Sequence, residues 1–218
     1  MTVPVVSIVG TSGSGKTTLV TKIIAELCSR GHRVATIKHD AHGFSIDHKG
    51  KDSWRHKQAG ASSVAISSPA KFAVIKDVVS EWPPERIIET FLQDADIVIT
   101  EGYKRGAFPK IEVVRAAHSK ESVCGLDLRL LAYATNVKIK TDLPLFKLND
   151  FKGLADFIDK KVIKTHHPQE VSLIVNGSAV TLKPFIANLL KDGISGMIKS
   201  LKGCSKADEI EVRIRKND

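Results

Sequence analysis

Between Gly10 and Thr17 the chain reads GTSGSGKT, three glycines closed by a lysine and a threonine. This fits the spacing G-x-x-x-x-G-K-[ST] at every position. Glycines at these points let the backbone wrap so that successive N–H groups face inward, a cradle for phosphate oxygens at the positive end of the helix that follows. Lys16 is then placed to bridge the β- and γ-phosphates, and the Thr17 hydroxyl to ligate magnesium. The candidate phosphate-binding residues are Gly10, Thr11, Ser12, Gly13, Ser14, Gly15, Lys16, Thr17 and Thr18. A glycine-rich turn with a chance Lys-Thr is the alternative. The β-branched run before the loop and the amphipathic run after it argue against that.

A loop of this type works with an acid at the end of a neighbouring strand. Glu101, directly after DIVIT, is the first candidate for the magnesium shell, so Thr17 and Glu101 are the expected metal-side pair. Asp40, after the second strand, is another, since that position faces the γ-phosphate in one branch of these folds. Lys16, Glu101 and Asp40 form the catalytic set, although acids at strand ends also serve as helix caps or solvated loop residues. Lys38, Lys49 and Lys51 fall near the phosphate end of the sheet, where they neutralise a ligand or are simply solvated. Tyr103, Lys104 and Arg105 follow Glu101 and face either nucleotide or partner. Base selectivity has no Asn-Lys-x-Asp signature; Asn136 reads as a base neighbour or as a turn residue. Cys28, Cys124 and Cys204 are scattered without metal-ligand spacing, as in reduced thiols.

These residues need a scaffold, and the hydrophobic spacing supplies one. Val3–Val9 is a buried strand ended by Gly10, Lys16–Ser29 a helix with Leu19, Ile23, Ile24 and Leu27 on one face, and Arg33–Lys38 a second strand. A polar stretch, His39–Lys51, precedes a helix over Asp52–Ala59 capped by Asp52 or Ser53. Ser63–Ser67 and Phe72–Ile75 flank a turn and read as a hairpin, and Pro83–Gln93 is a helix opened by proline. Asp96–Thr100, Lys110–Arg115 and Leu130–Thr135 are further strands. Asn149 or Asp150 caps a helix running to about Lys164. The implied fold is α/β: a mostly parallel sheet of the P-loop NTPase type with helices on both faces. After a polar break at Thr165-His166-His167-Pro168 come two β runs around Asn176-Gly177, a helix over Phe185–Leu201 and an alternating EIEVRIR. Residues 1–164 are therefore expected to form the nucleotide-binding domain, and 165–218 a small C-terminal β-β-α-β module.

Composition narrows the classes. Of 218 residues, 42% are hydrophobic and 26% charged, an ordinary globular profile. No apolar run reaches the roughly 18–20 residues of a membrane helix, and the start, MTVPVVSIVG, reads as a strand and not as a leader. The net charge is +9, and 25 basic against 18 acidic residues put +7 of it within 1–164. That suits a nucleotide or phosphorylated ligand, and equally a mixed-charge surface. No aromatic-basic strand motif of the RNA-binding type appears.

The segments GTSGSGKTTL, IKHDAHGFSIDHKGKDS (37–53), ITEGYKRGAFPKIEVVR (99–115) and LNDFKGLADFI (148–158) together resemble the molybdopterin-guanine dinucleotide biosynthesis protein B family. Within the second segment, Lys38, His39, His42, Asp47, Gly50, Lys51, Asp52 and Ser53 match the family's pattern, while Ala41 and Gly43 depart from it. The resemblance covers residues 1 to about 164. It implies a cytoplasmic, homodimeric GTP-binding protein with at most slow, magnesium-dependent GTPase activity. It also implies Lys38, His39 and Asp52 as further nucleotide-side residues, and a place beside the guanylyltransferase that joins GMP to molybdopterin, with molybdopterin itself as a second ligand. Two other classes share the loop: a small-molecule kinase, although the region from Asp40 to Lys57 has Arg55 alone and no lid, and a non-catalytic scaffold controlled by nucleotide.

Overall fold

The structure is a computed structural model that describes residues 3–40, 43–167, 170–176 and 178–214. His42, Pro168, Gly177 and Arg215, used in the motifs above, lie outside the described residues. The order of elements is β1 (Val5–Val9), α1 (Lys16–Ser29), β2 (Val34–Lys38), α2 (Asp52–Gln58), β3 (Ser63–Ser68), β4 (Lys71–Lys76), α3 (Pro84–Phe91), β5 (Ile97–Glu101), β6 (Lys110–Val114), β7 (Leu130–Thr135), β8 (Leu145–Phe146), α4 (Phe151–Ile158), β9 (Ile174–Val175), β10 (Ser178–Ala179) and α5 (Pro184–Lys199), with a π turn at Asp159–Ile163 extending α4.

Six strands form one sheet in the order β2-β5-β1-β6-β7-β8, and each of its pairings is parallel. β1, β6 and most of β5 are buried on both sides, as continuous apolar runs in a parallel sheet require. The two faces are covered differently. On one, Val6, Ile8, Ile97, Ile99, Ile111, Val113, Ala132 and Ala134 pack against Leu19, Ile23 and Leu27 of α1 and Leu154 and Ile158 of α4. On the other, α3 contributes Ile88 beside Val5, Ile37, Val98 and Phe108, and the rest is roofed by loops.

Those loops are the crossovers 102–109, from β5 to β6, and 115–129, from β6 to β7, neither of which contains a helix. A buried loop must satisfy its own polar groups, and two charged side chains of β6 do so. Lys110, 0% exposed, donates to Gly106 O (2.7 Å) and Phe108 O (3.2 Å) and pairs with Asp127 (2.7 Å). Glu112, 1% exposed, accepts from Ser122 Oγ (2.5 Å), Val123 N (2.6 Å) and Cys124 N (3.2 Å). Two residues apart on a strand, they share the face on which helices are scarce.

Local corrections concern caps and edges. α2 is capped at Lys51 with no side-chain hydrogen bond, so neither Asp52 nor Ser53 caps it; the Ser53 hydroxyl instead donates to Asp47 Oδ1 (3.0 Å). α4 is capped by Asp150, whose Oδ1 accepts from Gly153 N (3.0 Å), and a Cβ on Gly153 would stand only 2.6 Å from that carboxylate. β8, two residues long, was not visible in the pattern. In the C-terminal segment the hairpin β9–β10 and helix α5 form as expected, whereas residues 209–214 adopt no strand among the described residues.

Candidate functional site

The carboxyl ends of β1, β2 and β5 finish level, since Ile8 and Lys38 both lie in register with Glu101. This is the edge at which an open parallel sheet binds ligands, and the glycine loop leaves β1 here to enter α1. Gly10 (φ 145°), Gly13 (φ 72°) and Gly15 (φ 92°) all occupy backbone regions that favour glycine. At Gly10 a Cβ would also stand 2.5 Å from Val113 O, so two constraints coincide on that residue.

The Lys16 ammonium lies against its own loop, donating to Thr11 O (2.7 Å) and Gly10 O (3.2 Å). Burial holds its pKa below the ordinary lysine value; Glu101 opposes the shift, and Lys104 and Lys38 reinforce it. The Thr17 hydroxyl donates to Glu101 Oε1 at 2.7 Å, which brings together the two expected metal-side residues. One hydroxyl and one carboxylate are a fitting protein contribution for Mg²⁺, which keeps waters and takes phosphate oxygens for its other positions. No group of three or more His, Cys, Asp or Glu side chains capable of holding a metal occurs among the described residues.

A cleft of about 1140 Å³ opens above this edge, bordered by the loop, Lys38, His39, Glu101, Tyr103, Lys104 and Arg105. Its far wall joins the expected His39 and Tyr103 to Glu81 and Trp82, which the sequence did not single out. His39 Nε2 lies 3.2 Å from Glu81 Oε1, and its ring meets Tyr103 at 4.8 Å between centroids. Tyr103, at φ 55°, and Gly102, at φ 104°, turn the chain sharply after Glu101. A Cβ on Gly102 would meet His39 Cβ at 3.0 Å. Beside them Trp82 meets the Arg86 guanidinium 3.8 Å from its centroid and stacks with Phe91 at 6.4 Å. The signal for this wall was the Glu-Trp-Pro-Pro run preceding α3.

Not every expected residue lines the cleft. Thr11, whose carbonyl accepts from Lys16, and the buried Ser14 are outside the cleft lining. Asp40 is exposed at the end of β2 outside the cleft lining. Asp52 stands on α2, its side chain exposed and 4.0 Å from Arg55, also outside it. Asn136 pins the turn after β6, its Oδ1 accepting from Ala116 N (2.9 Å). That turn presses on the glycine loop: a Cβ on Gly13 would meet His118 Cε1 at 2.8 Å, and one on Gly15 would meet the Arg115 guanidinium at 3.4 Å. The Cys124 thiol is pushed up to about 11 by burial, with Glu112 adding to the shift, so little thiolate exists near neutrality.

Comparison with known proteins follows the same lines. The family model described as molybdopterin guanine dinucleotide synthesis protein B matches residues 5–136. The molybdopterin-guanine dinucleotide biosynthesis adapter protein of Haemophilus influenzae is 37% identical over 72% of this chain and 88% of its own. A relative from Methanocaldococcus jannaschii with the corresponding putative description is 25% identical over 96% of this chain and 97% of its own, which takes the likeness into the C-terminal segment. A crystal structure titled molybdopterin-guanine biosynthesis protein B superposes with a TM-score of 0.59 at 36% identity, over 72% of this chain and 98% of that one.

Proposed function

The chain belongs to the molybdopterin guanine dinucleotide synthesis protein B family, and from that membership we propose that it is a magnesium-dependent GTP-binding adapter in the biosynthesis of molybdopterin-guanine dinucleotide. It acts beside the guanylyltransferase that joins GMP to molybdopterin, in the cytoplasm. No described helix is long and apolar enough to cross a membrane. The observation that carries the reading is the 2.7 Å contact between Thr17 and Glu101 at the mouth of the glycine loop.

The N–H groups of Ser12–Thr17 and the Lys16 ammonium hold the phosphates, and Thr17 with Glu101 holds magnesium, which offsets the charge on the phosphate oxygens. Lys38, Lys104 and Arg105 line the same cleft and add positive charge. Hydrolysis is at most slow, because Glu101 is taken up with Thr17 and the magnesium shell and does not serve as a general base. The cleft exceeds what a triphosphate occupies, which supports a second phosphorylated ligand, molybdopterin, on its Lys38 side.

The functional unit is a homodimer joined through β3 and β4. These strands form a separate two-stranded sheet exposing Ile66, Phe72 and Val74, and such a hairpin is marginal by itself in water. A sedimentation mass equal to a single 23.8 kDa chain would remove the dimer. Residues 165–218 are a module appended to the nucleotide-binding domain of 1–164. In cells lacking their own copy of this adapter, the wild-type chain restores the activity of a dinucleotide-dependent molybdoenzyme and Lys16→Ala does not. Full restoration by the variant sinks the proposal.

A further inference from the structure

We infer that the nucleobase lies in a groove on the opposite side of the glycine loop from Glu101, and that Lys22 and Arg115 select guanine there through its O6 and N7 acceptors. The inference rests on the GTP reading and adds the means by which the base is chosen.

The direction of the ligand follows from the loop. The Thr17–Glu101 contact marks the metal and terminal-phosphate side, with Lys38 and Lys104 beyond it. A triphosphate that starts there and passes over the first turn of α1 leaves its nucleoside towards β6 and β8. A groove of about 150 Å³ lies on that side, bordered by Ser14, Thr18, Lys22, Arg115, Leu148 and Asn149. It is smaller than the roughly 300–1,000 Å³ that holds a whole drug-sized ligand and matches a single heterocycle. Ser14 borders it at the back, its hydroxyl buried and without a hydrogen-bond partner among the described residues, although buried hydroxyls in native proteins are normally paired.

Both cations reach the groove from ordered backbone. Arg115 follows β6 directly, and its turn is fixed at two points: Asn136 Oδ1 accepts from Ala116 N (2.9 Å), and Arg115 O accepts from His118 N (2.9 Å) and Ser119 N (3.0 Å). The guanidinium rests against Gly15, where a side chain would crowd it. Lys22 stands one turn after Thr18 on α1, its ammonium 5.8 Å from the centroid of Phe151. No carboxylate borders the groove among the described residues; the nearby Asp150 is committed to capping α4.

The chemistry then discriminates. Guanine offers two acceptors, N7 and O6, along one edge, whereas adenine offers N7 and the N6 amino donor. Paired cationic donors fit the first edge and oppose the second. The guanine N1–H and N2 amino group, which an acidic residue would read, face none here. Discrimination therefore depends on N7 and O6 and ignores N2.

Displacement of a fluorescent GDP analogue from the full chain, with Mg²⁺ present, tests this with four competitors: GTP, ATP, inosine triphosphate and 7-deaza-GTP. Inosine triphosphate, which lacks only the N2 amino group, should compete within about twofold of GTP. ATP and 7-deaza-GTP should each be about tenfold weaker. The double variant Lys22→Ala/Arg115→Ala should bring GTP and 7-deaza-GTP together, with an unchanged circular-dichroism melt, since both side chains are exposed. A tenfold loss with inosine triphosphate and none with 7-deaza-GTP overturns the inference alone. So does equal competition by GTP and ATP. Failure of every nucleotide to bind overturns it together with the GTP reading.

Discussion

Lys16→Ala lowers the affinity for Mg·GTP by about a hundredfold without lowering the melting temperature. The ammonium is the one lysine seated inside the glycine loop, and its hydrogen bonds to Thr11 O and Gly10 O are the ones a phosphate chain would take over. Truncating one partner of a buried, charge-assisted contact costs about 2–5 kcal/mol, and 2.7 kcal/mol is about a hundredfold. Stability is spared because burial already works against the charged form of Lys16 in the free protein. The same shift gives a pH signature. Phosphate binding favours the ammonium, so affinity falls as pH rises through the lowered pKa of the free protein. The alanine variant lacks that component of the slope and keeps only the titration of the nucleotide itself. Calorimetric titration across the alkaline range reads both effects; an undiminished affinity in the variant contradicts the account.

Lys110→Met has its largest effect on stability, a loss of about 3 kcal/mol, seen as a fall in melting temperature of roughly 5–10 °C. Methionine fills much of the same volume but leaves Gly106 O and Phe108 O without their donor and leaves Asp127 only its contacts with Arg129. Asp127 is 22% exposed and regains some water, which keeps the loss towards the lower end for broken buried pairs. The crossover 102–109 carries Lys104 and Arg105 into the cleft, so nucleotide affinity falls as well. A melt within 1 °C of wild type would show that this crossover holds itself.

Lys110 and Glu112 also show where sequence reading stops. A run such as KIEVV alternates polar with apolar, which ordinarily marks a half-exposed strand; here the polar positions are as buried as the apolar ones, because they tie loops that replace helices. Nothing local in those residues reveals that the connections on either side lack helices. The reverse holds for α1, whose limits at Lys16 and Ser29 follow from the glycine loop before it and the apolar spacing within it. The hairpin, α3 and the parallel strands other than β8 were legible for the same reason, each carrying its own periodicity or turn residues.

The phosphate side of the site was similarly legible. Thr17 and Glu101 are separated by 84 positions, yet each stands at the end of an apolar strand or the start of a helix, and strand ends converge at one edge of a parallel sheet. Residues that reach the site from loops gave no comparable sign. Glu81 meets His39 only because of where α3 begins, and Arg115 and His118 reach the glycine loop only because of how the turn after β6 folds. Asp52 reads as a site residue through resemblance, while α2 carries it away from the cleft. In the C-terminal segment the strand expected at EIEVRIR, 209–215, does not form over its described residues 209–214, and alternation without a partner strand leaves that stretch irregular.

Whether Thr17 and Glu101 hold magnesium against GTP is read by calorimetric titration of GTP, with and without Mg²⁺, on wild type and Glu101→Gln. Mg²⁺ strengthens GTP binding to wild type by about tenfold or more, and Glu101→Gln binds GTP with nearly the same affinity whether or not Mg²⁺ is present. An equal response to Mg²⁺ in the two proteins, or none in wild type, would contradict that role.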